Sequence, residues 1–134
     1  VTDNLDRNDL KLQYTNAVDA AAANLFGWGS IQWLCNGDVA PNGNLTFGYV
    51  QIEPGHKNPR HLHPNSSEVL FLIEGELDHS IGDEVFHLTA GMSIFIPIGV
   101  AHDARNQGNV TARMVVAYPT EDRQAVMLEA GRDE

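Results

Sequence analysis

Residues 55–75 read GHKNPRHLHPNSSEVLFLIEG, and residues 91–106 read GMSIFIPIGVAHDARN. In an extended strand alternate side chains share a face, so His61 and His63 point the same way and can seize one metal ion. Glu68 follows closely enough for a loop to bring its carboxylate to the same ion, and imidazole with carboxylate suits first-row transition metals. In the second stretch Gly91, Pro97 and Gly99 punctuate an apolar strand, and His102 follows the turn as a fourth candidate ligand.

Outward from these stretches the chain reads as short strands joined by turns. Towards the N-terminus, IQWLC at 31–35 is β-branched and aromatic, and Asn36-Gly37 and Asn42-Gly43 mark turns after it. In LTFGYVQIE, 45–53, Gly48, Val50 and Ile52 share one face while Phe47, Tyr49, Gln51 and Glu53 share the other. The run EVLFLIEGELDHSI is apolar on both faces up to Glu74, which predicts a strand buried on both sides or lying at an interface. Gly82-Asp83-Glu84 turns the chain into VFHL, Thr89-Ala90-Gly91 turns it into SIFIP, and TARMVVAYP closes the series after Asn106-Gln107-Gly108. This spacing argues an all-β fold. Two departures are predicted. TNAVDAAAANLF, 15–26, has five alanines and no breaker, so it predicts a short helix capped by Thr15 or Asn16. The tail from Thr120 predicts one or two helical turns, and residues 1–14 read as an arm or edge strand.

The two quoted stretches resemble the paired motifs of the cupin superfamily. The first matches G(X)5HXH(X)3-4E(X)6G at Gly55, His61, His63, Glu68 and Gly75, and the second matches G(X)5PXG(X)2H(X)3N at Gly91, Pro97, Gly99, His102 and Asn106. The resemblance implies a small jelly-roll β-barrel and one divalent transition metal per chain, held by His61, His63, Glu68 and His102. It implies no single reaction, because this fold hosts dioxygenases, decarboxylases, isomerases, lyases and binders. Three neutral imidazoles and one carboxylate leave a divalent ion with net charge +1 and two adjacent open sites, which invite a substrate that chelates through two oxygens. Fe(II) is the first choice of metal, with Mn, Ni, Zn or Cu as alternatives. The expected function is a dioxygenase acting on a small oxygenated organic substrate. The alternatives are a non-redox lyase, isomerase or decarboxylase on a sugar acid or related carbonyl compound, and a non-catalytic small-molecule binder.

Beyond the ligands, the catalytic candidates are Tyr49 and His79. Tyr49 competes for the inner face with Val50, and His79, sharing a face with Leu77 and Ile81, is either a core histidine or a proton carrier in the lumen. Asn106 reads as a turn hydrogen-bonder, His56 as solvated, Arg60 as a surface ion pair, and Trp28 and Trp33 as core packing or as walls of a pocket.

Length and charge bound the rest. The 134 residues are divided as an N-terminal arm and helix (1–30), a barrel domain (31–120) and a tail (121–134). A formal charge of −10 disfavours nucleic acid and anionic membranes as partners. One cysteine, Cys35, and no signal-peptide pattern fit a cytoplasmic protein. Val69, Phe71 and Ile73 fall on the face opposite Glu68, Leu70 and Leu72, and this second apolar row predicts a homodimer with Phe71 in or near its interface.

Overall fold

A computed structural model of the chain describes residues 13–129. Numbered along the chain, its strands are β1 (Ala23–Phe26), β2 (Gly29–Cys35), β3 (Thr46–Ile52), β4 (His61–Leu62), β5 (Glu68–Glu74), β6 (Glu76–Ile81), β7 (Glu84–Thr89), β8 (Ser93–Ile96), β9 (His102–Arg105), β10 (Ala112–Tyr118) and β11 (Val126–Met127). They form two antiparallel sheets, one ordered β1-β2-β3-β10-β5-β8 and the other β11-β4-β9-β6-β7. The inner faces meet over Ile52, Leu72, Leu77, Ile96 and Met114, all fully buried. This is the all-β fold expected from the turn spacing, in the jelly-roll form that the resemblance implied.

Period-two alternation holds where it was read. Thr46, Gly48, Val50 and Ile52 point inward on β3, and Glu68, Leu70 and Leu72 point inward on β5. Gly48 is small for a reason: a Cβ there would lie 2.7 Å from the Trp33 ring, which packs directly over it. The run EVLFLIEGELDHSI, by contrast, is not one strand buried on both faces. It breaks at Gly75, whose φ of 91° only glycine adopts readily, so β5 stays in one sheet and β6 starts the other. The outer row Val69, Phe71 and Ile73 remains between 42% and 47% exposed.

The predicted helix at 15–26 does not form. Ala20 and Ala21 close a single turn onto the Ala17 carbonyl, and Ala23–Phe26 instead pairs with β2 as an added edge strand. The cause is tertiary. The buried Gln32 side-chain amide donates to the carbonyls of Val18 and Ala21, groups that a helix would use internally. Alanine propensity is too weak to win that competition in a helix barely three turns long. Nor do helical turns follow Thr120: its hydroxyl accepts the Asp122 amide, and Val126–Met127 pairs with β4. Among the described residues there is no helix, so none is long and apolar enough to cross a membrane. The expected arm lies outside the described residues except for its last two positions.

Candidate metal centre

The barrel brings the four predicted ligands to one point. Antiparallel pairing sets His61 of β4 opposite His102 of β9, with ring centroids 4.3 Å apart. His63, one residue past the end of β4, keeps the parity of His61 and stands 4.9 Å from it. Glu68 opens β5 from the facing sheet, and its Oε1 lies 3.2 Å from His63 Nε2 and 3.3 Å from His102 Nε2. The donor nitrogens of the three histidines lie within 4.8 Å of one another, and all four side chains are at least 95% buried.

Backbone carbonyls fix each imidazole. His61 Nδ1 donates to Pro59 O at 2.7 Å, His63 Nδ1 to Gln124 O at 2.8 Å, and His102 Nδ1 to Val100 O at 2.8 Å. A carbonyl can only accept, so these bonds place the proton on Nδ1 and turn the Nε2 lone pair inward when the ring is neutral. Burial, with the neighbouring His102 next in weight, lowers the pKa of His61 to about 3, so this ring is neutral at physiological pH. Burial alone would raise the Glu68 carboxyl, but the facing imidazoles of His102 and His63 outweigh it and hold the group well below the usual carboxylate range.

These donors fit a divalent ion. His63 Nε2 and Glu68 Oε1 are buried with no hydrogen-bond partner, although 3.2 Å apart. Buried polar atoms are rarely left so, because each orphan costs about 1–3 kcal/mol. One shared proton could close a single contact. Three imidazoles converging on one carboxylate call for a cation that accepts all of their lone pairs, and His/Glu donor sets of this kind suit first-row metals.

A small cavity of about 30 Å³ adjoins the centre. His61, Glu68 and His102 line it together with apolar side chains such as Ile31, Val50, Leu70 and Met114. Three more of the lining residues bring further polar groups. His79 is 2% exposed, with its ring stacked parallel to that of His102 at 5.9 Å. Burial lowers its pKa to about 4, and its Nδ1 donates to Ser80 O. Asn58 Oδ1 accepts the Ala104 amide, which turns the side-chain NH2 away from that contact. Trp28 brings a buried indole Nε1–H. Trp33 and Tyr118 also line the cavity, and the Arg123 guanidinium lies over both rings, 4.6 Å from the first.

His79 is therefore at the centre, while Tyr49 is not: it lies on the opposite face of β3, where its hydroxyl accepts Arg113 Nη1 at 2.9 Å. Arg60 forms no ion pair among the described residues; its guanidinium hydrogen-bonds Ser80 Oγ and Gly82 O. Asn106 is a turn residue as expected, binding Ile52 O, Val110 O and Gly108 N while completely buried. His56 is exposed, and His87 is held outside the barrel between Asp78 and Glu76. Residue pattern alone marked neither Asn58 nor the segment that carries Gln124. That segment is moored by Glu121, whose carboxylate accepts the Asn42 and Asn44 amides, and by reciprocal bonds between Asn65 and the 122–124 backbone.

The model of the cupin domain family matches residues 48–118. Among curated proteins, the polyketide synthase protein CurC of Streptomyces cyaneus is 38% identical over 69 residues, 52% of this chain and 45% of that protein. Oxalate oxidase GF-2.8 of Triticum aestivum is 32% identical over 92 residues, 63% of this chain and 41% of its own. Among solved structures, the Lactobacillus farciminis oxalate decarboxylase formate complex aligns with a TM-score of 0.81 over 92% of this chain and 38% of its own, at 21% identity. The chain spans about half the length of the first curated relatives that it matches.

Proposed function

The chain belongs to the cupin family, and from that premise we propose that it is a metal-dependent enzyme, a dioxygenase acting on a small oxygenated substrate that chelates the ion through two oxygens. The observation that carries this reading is the buried set His61, His63, Glu68 and His102, with the orphaned His63 Nε2 and Glu68 Oε1 facing each other. A divalent ion bound there, Fe(II) as first choice, supplies Lewis acidity towards the chelating oxygens and a route to dioxygen. The protein's own part is to orient and to exclude water. Backbone carbonyls lock the three rings, the Glu68 carboxylate cancels one of the ion's two charges, and the apolar wall keeps the reacting groups in a low dielectric.

Cavity size bears on the substrate. A cavity of about 30 Å³ favours a small ligand, so the resemblance to oxalate oxidase is the better guide to substrate size than that to a polyketide synthase protein. A second reading, a non-redox lyase or decarboxylase, is favoured by His79, whose Nε2 can take a proton from a bound substrate without any change of oxidation state. Oxygen-electrode measurements on Fe(II)- and Mn(II)-loaded protein, with oxalate, glycolate, pyruvate and catechol as trial substrates, separate the two. The dioxygenase reading expects one O2 consumed per substrate lost. Equal turnover without oxygen would overturn it in favour of the second.

Assembly is proposed on the same footing. We propose a two-fold homodimer in which the outer row of β5 meets its copy. Pairing sets Val69 between Ala117 and Phe95, and Phe71 between Val115 and Ser93, so the apolar row continues across three strands. At its border Arg113 is matched to Glu74 at 3.1 Å, which offsets one acidic charge where a second copy of this acidic chain would approach. Light scattering is expected to give twice the 14.7 kDa chain mass, and Phe71→Glu to halve it. A wild-type mass of one chain contradicts the dimer, and a dimeric variant moves the interface elsewhere.

A further inference from the structure

Trp28 is 6% exposed, lines the same cavity as His61, Glu68 and His102, and carries an Nε1–H that is buried with no hydrogen-bond partner among the described residues. Phe26 stacks on its ring at 4.9 Å and 6°, which holds the indole plane. An orphaned indole N–H inside a core is costly, and Phe would fill the site without that penalty. The donor is explained if a ligand supplies its acceptor. His79, which lines the same cavity, offers the reverse group: because Nδ1–H is engaged by Ser80 O, Nε2 of the neutral ring is a lone pair. The lining therefore holds a donor that wants an oxygen and an acceptor that wants a proton.

We propose that Trp28 Nε1–H anchors the carboxylate of a small 2-hydroxy acid whose hydroxyl donates to His79 Nε2. The inference rests on the metal reading above. A 2-hydroxy acid chelates through its hydroxyl and one carboxylate oxygen, which leaves one carboxylate oxygen for Trp28 and one hydroxyl proton for His79. A second carboxylate in place of the hydroxyl would set oxygen lone pairs against the Nε2 lone pair. Trp28 and His79 are thus specificity-determining residues, and both act by hydrogen bonding.

The test uses the full chain loaded with Zn(II), which is diamagnetic, labelled with 15N and titrated with glycolate. Trp33→Phe assigns the two indole Nε1–H resonances. The proposal expects the Trp28 resonance to move downfield and saturate. It expects Trp28→Phe to weaken glycolate binding at least about tenfold, the loss of one hydrogen bond to a charged group, with Zn(II) stoichiometry unchanged. Methoxyacetate keeps both chelating oxygens but lacks the hydroxyl proton. It is expected to bind more weakly than glycolate to the wild type, and by a smaller ratio to His79→Phe. A Trp28 resonance that ignores saturating glycolate, or a Trp28→Phe variant of undiminished affinity, overturns the proposal even if Zn(II) binds. Failure of the wild type to bind Zn(II) is read separately, by metal analysis, and falls on the metal reading.

Discussion

Glu68→Gln is expected to lower the affinity for a divalent ion by at least ~100-fold. The amide has the shape of the carboxylate but no charge, so an ion facing three neutral imidazoles keeps its full +2 in a buried site. His102→Ala removes a ligand and a packed ring together, so both metal affinity and stability are expected to fall. Metal titration and urea denaturation of the metal-free proteins read the two effects apart. Full metal retention in either variant contradicts the four-ligand centre.

Acidification is the second large effect. The folded-state pKa of His61 is lowered to about 3 and that of His79 to about 4, both chiefly by burial, against an ordinary value of 6.5. Below pH 6.5 the unfolded chain therefore binds protons that the folded chain refuses. Stability is whole above that pH and is lost as pH falls towards 4 and then 3. Glu68 acts in the same direction, since its depressed carboxyl contributes stability that disappears as pH falls below the ordinary carboxylate range. From pH 7 to pH 4.5 the metal-free protein is expected to lose on the order of several kcal/mol, a fall of at least ~1 M in the urea midpoint. An unchanged midpoint would mean that these rings are not buried as described. For the loaded protein, the ordinary histidine pKa places metal release below about pH 6. Because the fold itself suppresses protonation of His61, release and unfolding are expected to come together.

What could be read from the residues follows from how local each cause is. His61 and His63 were legible because strand parity fixes their geometry within a few residues, and Glu68 because a short loop follows them. His102 joined the set through the resemblance of both stretches to the cupin motifs. The two faces of β3 and β5 were legible from strand parity as well, down to the outward row of Phe71. The helix expected at 15–26 failed because a buried glutamine of β2 takes carbonyls from it, a contact spanning eleven residues or more that propensity cannot weigh. The Gln124 carbonyl that orients His63 is a backbone atom 61 residues away and leaves no mark in residue type. Trp28 was legible as a core aromatic, but the isolation of its N–H depends on which atoms fail to surround it. Tyr49 was drawn inward by its chemistry, whereas Val50 beside it is the residue that faces the cavity.

X-ray absorption at the metal edge tests the central claim most directly, on untagged protein loaded with one equivalent of Fe(II), Mn(II) or Zn(II). One ion per chain is expected, with three imidazole nitrogens and a carboxylate oxygen in its shell, and the loss of one imidazole in His102→Ala. A spectrum of oxygen ligands alone, or one that is unchanged in His102→Ala, would contradict it.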